Sequence, residues 1–353
     1  MRSLSIRMPT GIFAALMAAS LFGGSTPFAK QMAGDISPAL LAGLLYFGSG
    51  VGLWTIRVVR DRGFISPHLP RNDWPWLAGA IAFGGVLAPV LLMFGLRRIA
   101  AADASLLLNL EAVLTASLAW VVFGENADRR IVLGMALIVL GGAVLAWPES
   151  GVERTDLIGV LAIAAACLCW AIDNNLTRKV SASDSLFIAG TKGLAAGSIN
   201  LALALSLGAS LPAWSSVAGA MTIGLAGYGI SLVLFVLALR DLGSARTGAY
   251  FSTAPFIGAV IAIAVFHEPV SVAFWLAAVL MAGGVWLHLT ERHEHEHAHE
   301  PLTHTHTHRH DAHHQHPHDS AWDGSEPHTH EHHHEPIAHT HQHYPDVHHR
   351  HGH

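Results

Sequence analysis

Residues 96–125, LRRIAAADASLLLNLEAVLTASLAWVVFGE, align without a gap on residues 239–268, LRDLGSARTGAYFSTAPFIGAVIAIAVFHE, when the chain is slid along itself by 143 positions. Phe123-Gly124-Glu125 falls on Phe266-His267-Glu268, and a further apolar run follows each. A shift of 148 places LFGGSTPFAK (21–30) on CWAIDNNLTR (169–178). Self-similarity of this kind marks a duplicated unit. The chain therefore divides into a first repeat over 1–150, a second over 151–290 and a tail over 291–353.

Each repeat holds five apolar runs. A bilayer core takes roughly 20 residues of helix at about 1.5 Å each. Ten runs qualify, near 10–29, 38–56, 74–96, 100–123, 131–147, 157–177, 186–207, 217–239, 247–266 and 272–289. Five is odd, so the second repeat enters the membrane from the opposite side. The expected fold class is an all-α integral membrane protein: ten transmembrane helices as two inverted five-helix repeats, plus a disordered cytoplasmic tail. Inverted repeats of this kind place a solute site near the midplane between halves. Small-residue runs such as GIFAALMAASLFGGS let helices approach closely, and such faces also permit a homodimer. Gly141-Gly142 and Gly283-Gly284 read as packing notches of this sort.

Composition agrees. Hydrophobic residues make up 52% of the 353 and charged residues 13%, against about 25% charged in ordinary globular domains. The tail holds 24 of the 27 histidines and a formal charge of −8, leaving the 290-residue body at +3. So few charges over so long an apolar body exclude a soluble enzyme, a nucleic-acid binder and a wholly disordered chain. The two cysteines, Cys167 and Cys169, point to different faces of a helix and read as structural.

Lys and Arg set the orientation. Arg2 and Arg7 precede the first apolar run as in a secretory signal, but the cleavage pattern around Pro27-Phe28-Ala29 is poor, so the first helix is expected to be retained. With the N-terminus inside, thirteen Lys and Arg fall on the inner segments and four on the outer ones, Lys30, Arg97, Arg98 and Arg154. This positive-inside bias predicts a multi-pass protein of the cytoplasmic membrane with both termini in the cytoplasm.

LEAVLTASLAWVVFGE resembles the stretch that ends the fourth helix of EamA-type transporters of the drug/metabolite transporter superfamily, and GGSTPFAK resembles the stretch in their first helix. The resemblance covers both halves and the ten-helix count. It implies a transporter of small organic solutes or metabolites, usually outward, and leaves the solute open. In one departure, Ala112 replaces the proline usual after Glu111, whereas Pro255 keeps it in the second half. The fourth helix is therefore expected to be less kinked than its repeat mate.

Charges within spans are expensive and mark function by default. Glu111 falls near the midplane, where a carboxylate either binds and releases a proton or fixes packing by hydrogen bonds. Asp173 and Lys192 lie at matching depths in spans six and seven and are expected to pair. Trp170, Asp173, Asn174 and Thr177 share one helical face, as do their weaker repeat mates Phe22, Ser25, Thr26 and Ala29. This stripe reads as solute lining or as interhelical glue. Asn109, Tyr228, Ser231, Tyr250 and Ser252 offer further hydrogen bonds. Trp54, Trp74, Trp76, Trp120, Trp147, Trp214 and Trp275 suit an interfacial belt, and Glu125 and Glu268 suit capping.

The tail alternates His with Glu and Thr: His293, His295, His297, His299, then His304, His306, His308, His310, His313, His314, and again His328, His330, His332, His333, His334. Neutral imidazoles at this density bind Zn, Ni, Co or Cu, and the same residues make a pH-responsive polyelectrolyte. No hydrophobic core is available to such a segment, so it is expected to be disordered when empty. The expected function is a secondary transporter, an exporter of a small solute, that requires no cofactor and whose tail links it to metal homeostasis. Expected partners are the lipid bilayer, the solute and divalent metal ions. A direct transporter of Zn, Ni or Co and a membrane-anchored metal store or sensor are the alternatives.

Overall fold

A computed structural model of the chain describes residues 10–65, 69–123, 129–147, 156–181 and 183–290, with 294–298, 302–308, 328–334 and 338–342 of the tail. Among these residues ten helical spans are long and apolar enough to cross a membrane. The first half runs α1 (Thr10–Ala33), α2 (Pro38–Asp61), α3 (Trp74–Ala80), α4 (Ala88–Leu96), α5 (Ala101–Leu107), α6 (Leu110–Phe123) and α7 (Arg129–Ala146). The second runs α8 (Leu157–Val180), α9 (Ser185–Ser206), α10 (Trp214–Gly224), α11 (Ser231–Phe251), α12 (Ala254–Ala264) and α13 (Val272–Leu289). Asp156, Asp184 and Ser271 cap α8, α9 and α13 by accepting backbone N–H groups of the first turn.

Two irregularities recur at the same place in each half. The third and eighth spans pass through π-helical turns, Ile81–Leu87 and Leu225–Ile230. There the Ala88 N–H bonds to Phe83 O and, at the equivalent step, the Ser231 N–H bonds to Ala226 O. The fourth and ninth spans break near their middles, at 108–109 between α5 and α6 and at 252–253 between α11 and α12. The expectation that Ala112 would leave the fourth helix less kinked is therefore corrected. The break lies before Glu111 and is closed by Asn109, whose side chain donates to Leu106 O (3.0 Å), so no proline is needed. In the ninth span, Ser252 and Thr253 close it by donating to Gly248 O and Tyr250 O.

The largest interfaces join one half to the other: α2 on α9, α7 on α13, α1 on α11 and α4 on α8. Glycines make them close. A Cβ on Gly141 would lie 2.7 Å from Met281 Cγ, and one on Gly284 would lie 2.6 Å from Gly134 O.

The two ends of the bundle differ. At one, Lys30 Nζ donates to the carbonyl of Leu96, the last residue of α4, and to that of Ile99 in the link to α5, Glu268 accepts the Ala101 and Ala102 N–H groups that begin α5, and Arg98 pairs with Asp156. There α5 packs on α12, and a Cβ on Gly258 would lie 2.7 Å from Ser105 Oγ. At the other end Arg57 and Arg60 hold Asp184 (3.2 and 2.5 Å). The repeat equivalents of Ser105 and Gly258 are Gly248 and Thr115. A Cβ on Gly248 would meet nothing within 4 Å, and α6 and α11 are not among the larger interfaces between described elements. Among the described residues the Ser105–Gly258 contact is thus made at the Lys30 end, while its counterpart at Gly248 is open at the Arg57 end.

In the tail, Glu294–Ala298 pairs antiparallel with Ala338–Gln342, and Leu302–His308 with His328–His334. Alternation with a period of two suits an extended chain. These ladders qualify the expectation of an unstructured tail in backbone pairing alone. Of the expected metal ligands, His293, His299, His310, His313 and His314 lie outside the described residues, as do Arg2, Arg7, Glu125 and Arg154.

Candidate functional site

The polar stripe on α8 faces the middle of the bundle. Asp173 is buried and forms an ion pair with Lys192 of α9, also buried. Thr177, one turn on, donates its hydroxyl to the other Asp173 oxygen (2.9 Å). Both carboxylate oxygens are thus bonded, as a charge at this depth requires. Asn174, on the same face, donates its amide to Glu111 Oε1 (2.8 Å). Glu111 occupies the first turn of α6, so the break in the fourth span brings a helix N-terminus, with its positive dipole end, to a carboxylate inside the bundle. Glu111 and Asn174 are half-buried, whereas Asp173, Lys192 and Thr177 are buried.

Gly84 explains how Asp173 fits. A Cβ there would lie 1.9 Å from Asp173 Oδ2. The π-helical turn also changes the backbone chemistry. The Ala88 N–H reaches back to Phe83, and the next residue, Pro89, has no N–H to give. The Gly84 carbonyl is left to side chains, and it accepts the Tyr46 hydroxyl (2.8 Å) and Trp170 Nε1 (3.1 Å). The repeat-related contact is Ser25 on Gly227, where a Cβ would lie 2.3 Å from Ser25 Cβ. Each half's first helix thus packs into the π-helical turn of the other half.

Rings enclose this centre. Phe22 meets Trp170 and Tyr228 edge-on, both at 5.7 Å between centroids, and Phe251 at 5.4 Å. Tyr46 lies 5.3 Å from Tyr228 and within electrostatic range of both Asp173 and Glu111. Trp170 stands one turn from Asn174 on α8. The hydroxyl of Tyr228 is buried with no hydrogen-bond partner among the described residues, and the nearby Ser25 donates its own hydroxyl to Phe22 O (2.6 Å).

The structure brings Glu111, Asn174, Asp173, Thr177 and Lys192 together, with Ser25 and Tyr228 across the repeat axis. Thr26 is fully buried and its hydroxyl has no partner. Asn109 belongs to the helix break rather than the centre, with its amide on Leu106 O and Met281 Sδ. Tyr250 packs with Ala14, Ala15 and Ala238 toward the Arg57 end, apart from the charged groups. Tyr46 was not singled out from sequence; a lone tyrosine nine residues into the apolar run PALLAGLLYFGSG was its only signal. Among the described residues no group of three or more His, Cys, Asp or Glu is placed to hold a metal ion.

Outside the spans, burial pushes the Asp184 carboxyl up. The Arg60 and Arg57 guanidiniums and the Leu186 N–H outweigh this and hold it below the usual carboxylate range. Asp156 is likewise held low, chiefly by Arg98.

Known proteins match this architecture. An uncharacterized transporter of Methanothermobacter thermautotrophicus is 27% identical over 293 residues, covering 78% of this chain and 85% of that protein. The uncharacterized transporter YyaM of Bacillus subtilis is 25% identical over 290 residues, covering 78% and 92%. A probable 4-amino-4-deoxy-L-arabinose-phosphoundecaprenol flippase subunit ArnE of Pseudomonas paraeruginosa is 44% identical over 75 residues, which are 21% of this chain and 63% of that protein. One solved crystal structure of a protein shares the fold at a TM-score of 0.60, with 19% identity, and covers 78% of this chain and 95% of that one. The model of the EamA-like transporter family matches residues 9–147 and again 157–290, once for each half. With ten spans, two repeats and both halves matched, the chain is a multi-pass membrane protein that belongs to the EamA-like transporter family.

Proposed function

We propose that this transporter moves a small solute across the cytoplasmic membrane by alternating access, with Glu111, Asn174, Asp173, Thr177 and Lys192 at its centre. One observation carries the reading. Ser105 and Gly258 are in contact at the Lys30 end, while their repeat equivalents, Gly248 and Thr115, are apart at the Arg57 end. In an inverted repeat the two arrangements are interchangeable, so the complementary state has the Gly248–Thr115 contact made and the Ser105–Gly258 contact broken. The Lys and Arg distribution puts the Arg57 end in the cytoplasm, with both termini, so the state described here loads from inside. Export, coupled to a proton taken up by Glu111, is the direction assigned in this reading, supported by the position of that carboxylate within the spans. The reading involves no covalent step and no cofactor. The histidine tail is a cytosolic binder of Zn, Ni, Co or Cu, supported by its His-x-His composition.

Cysteines at Thr115 and Gly248 test this in membrane vesicles. The expected result is that Gly248→Cys reacts with a membrane-impermeant maleimide from the Arg57 side, and that the Thr115→Cys/Gly248→Cys pair crosslinks during turnover and stops transport. Equal labelling from the Lys30 side, or undiminished transport by the crosslinked protein, overturns the reading.

A further inference from the structure

The two ladders of the tail keep one register. β1 (Glu294–Ala298) pairs with β4 (Ala338–Gln342), and β2 (Leu302–His308) with β3 (His328–His334), so the second ladder is nested in sequence within the first. Three positions separate β1 from β2 and three separate β3 from β4, which leaves both ladders in step. In that register histidine stands opposite histidine five times: His295 with His341, His297 with His339, His304 with His332, His306 with His330 and His308 with His328. A slip of one residue would set His306 opposite Glu331 or Thr329 instead.

Apolar burial does not account for this pairing. Among the paired residues only Ala298, Leu302 and Ala338 are apolar, and a two-stranded ladder without a hydrophobic face is marginal in water. Protonated imidazoles directly opposite one another would repel. A metal ion shared by two neutral ones would instead join the strands. Directly opposed residues of an antiparallel pair have Cβ atoms about 4.5–5.5 Å apart, close enough for two imidazoles to reach one ion at metal–nitrogen distances of about 2.0–2.1 Å. Imidazole suits Zn, Ni, Co and Cu, whereas Mg and Ca take oxygen ligands. Among the described residues no three His, Cys, Asp or Glu are placed around one ion, so the unit is the pair, with water completing the shell.

We propose that each of the five His–His rungs is a two-imidazole site for Zn, Ni, Co or Cu, and that the bound ion is what ties the two arms of the tail together. The proposal rests on the reading of the tail as a metal binder and names the pairs that bind. It divides histidines that composition treats alike. His333 and His334 follow His332 directly in β3 but stand opposite Thr303 and Leu302, and so belong to no rung. A rung also loses its ion when either partner is removed, whereas an unordered polyhistidine segment loses metal in proportion to the histidines lost.

Equilibrium dialysis of the full-length protein against zinc, with magnesium as the control ion, reads this as ions bound per chain. His328→Ala/His330→Ala empties two rungs and is expected to lose about two zinc ions per chain. His306→Ala/His308→Ala should lose the same two, and combining all four substitutions should cost nothing more. His333→Ala/His334→Ala, which takes as many histidines from the same strand, should keep the wild-type content. Magnesium should not be retained by any of them. Equal losses from the His328/His330 and His333/His334 variants, or a quadruple loss twice that of either double, overturns the rungs and leaves metal binding by the tail standing. No zinc on the full-length chain, or as much zinc after truncation at Thr290, overturns both. The substitutions lie outside the spans, so the melting curve of the bundle should be the same in every variant.

Discussion

Gly50 of α2 and Gly193 of α9 lie backbone against backbone. A Cβ on Gly50 would fall 2.2 Å from Leu194 N, and one on Gly193 would fall 2.6 Å from Gly50 N. They sit in the α2–α9 interface, the largest between the halves. Gly50→Ala or Gly193→Ala must push two backbones apart, and overpacking of this kind costs about 1–3 kcal/mol. Either change should lower the melting temperature of detergent-purified protein by several degrees. Gly34→Ala, with nothing within 4 Å of the added carbon, should leave it unchanged.

Asp173 and Lys192 should behave as one unit. Removing either charge leaves the other buried alone, at a cost of about 3–5 kcal/mol, whereas removing both relieves most of the penalty. Folded yield should fall sharply for Asp173→Asn and for Lys192→Met and recover in the double variant. Simple additivity in this cycle would mean that the two do not interact.

A Cβ on Gly248 would meet nothing within 4 Å in the state described here, so Gly248→Ala should be accepted without loss of stability, and Gly248→Phe puts a bulky ring at the same place. The same ring would block the Gly248–Thr115 contact of the complementary state. Transport should drop at least tenfold, and labelling of engineered cysteines should remain fixed in the pattern of a bundle open at the Arg57 end.

Acid should loosen the loops before the spans. Asp184 and Asp156 both have folded pKa values below the ordinary carboxylate range, so the folded state holds these protons more weakly than the unfolded chain does. Their contribution to stability is complete above the unfolded value of about 4 and is lost as pH falls through the lower folded values. The part of the melting temperature contributed by these two carboxylates should be constant down to about pH 5 and decline below about pH 4. Asp184→Asn should start lower at neutral pH and decline less.

The histidine segment should separate from transport. Metal content measured after dialysis against zinc or nickel should be several ions per chain for the full protein and near zero after truncation at Thr290. Metal tolerance lost with the tail but kept in Glu111→Gln would favour storage by the tail over transport of the metal.

Much of this architecture was readable because apolar length and duplication are strong signals. The ten spans, the two-unit alignment and the matching depths of Asp173 and Lys192 all follow from counting. What escaped depended on tertiary geometry. Nothing in GAIAFGGVLAP announces a π-helical turn, so the free Gly84 carbonyl and its partners Tyr46 and Trp170 were not foreseen. Ala112, where the second half has Pro255, pointed to a less kinked fourth helix, yet that helix breaks at 108–109 with Asn109 closing the turn. Tyr250, a candidate for the pathway, packs among alanines of α1 and α11 instead. The meeting of four rings cannot be inferred from any one helix, because each ring comes from a different span.

The principal interfaces run between the halves and scarcely within them, which bears on biogenesis. When the first five helices leave the ribosome, the grooves around Gly84, Gly95 and Gly50 still await Asp173, Ile163 and Gly193, which have not been synthesised. The nascent amino-terminal portion must wait in the lipid, notches unfilled, until its counterpart is inserted upside down beside it. Neither portion is a module that matures alone, and a gene cut between Trp147 and Asp156 would yield a working carrier only when both fragments are made in the same cell.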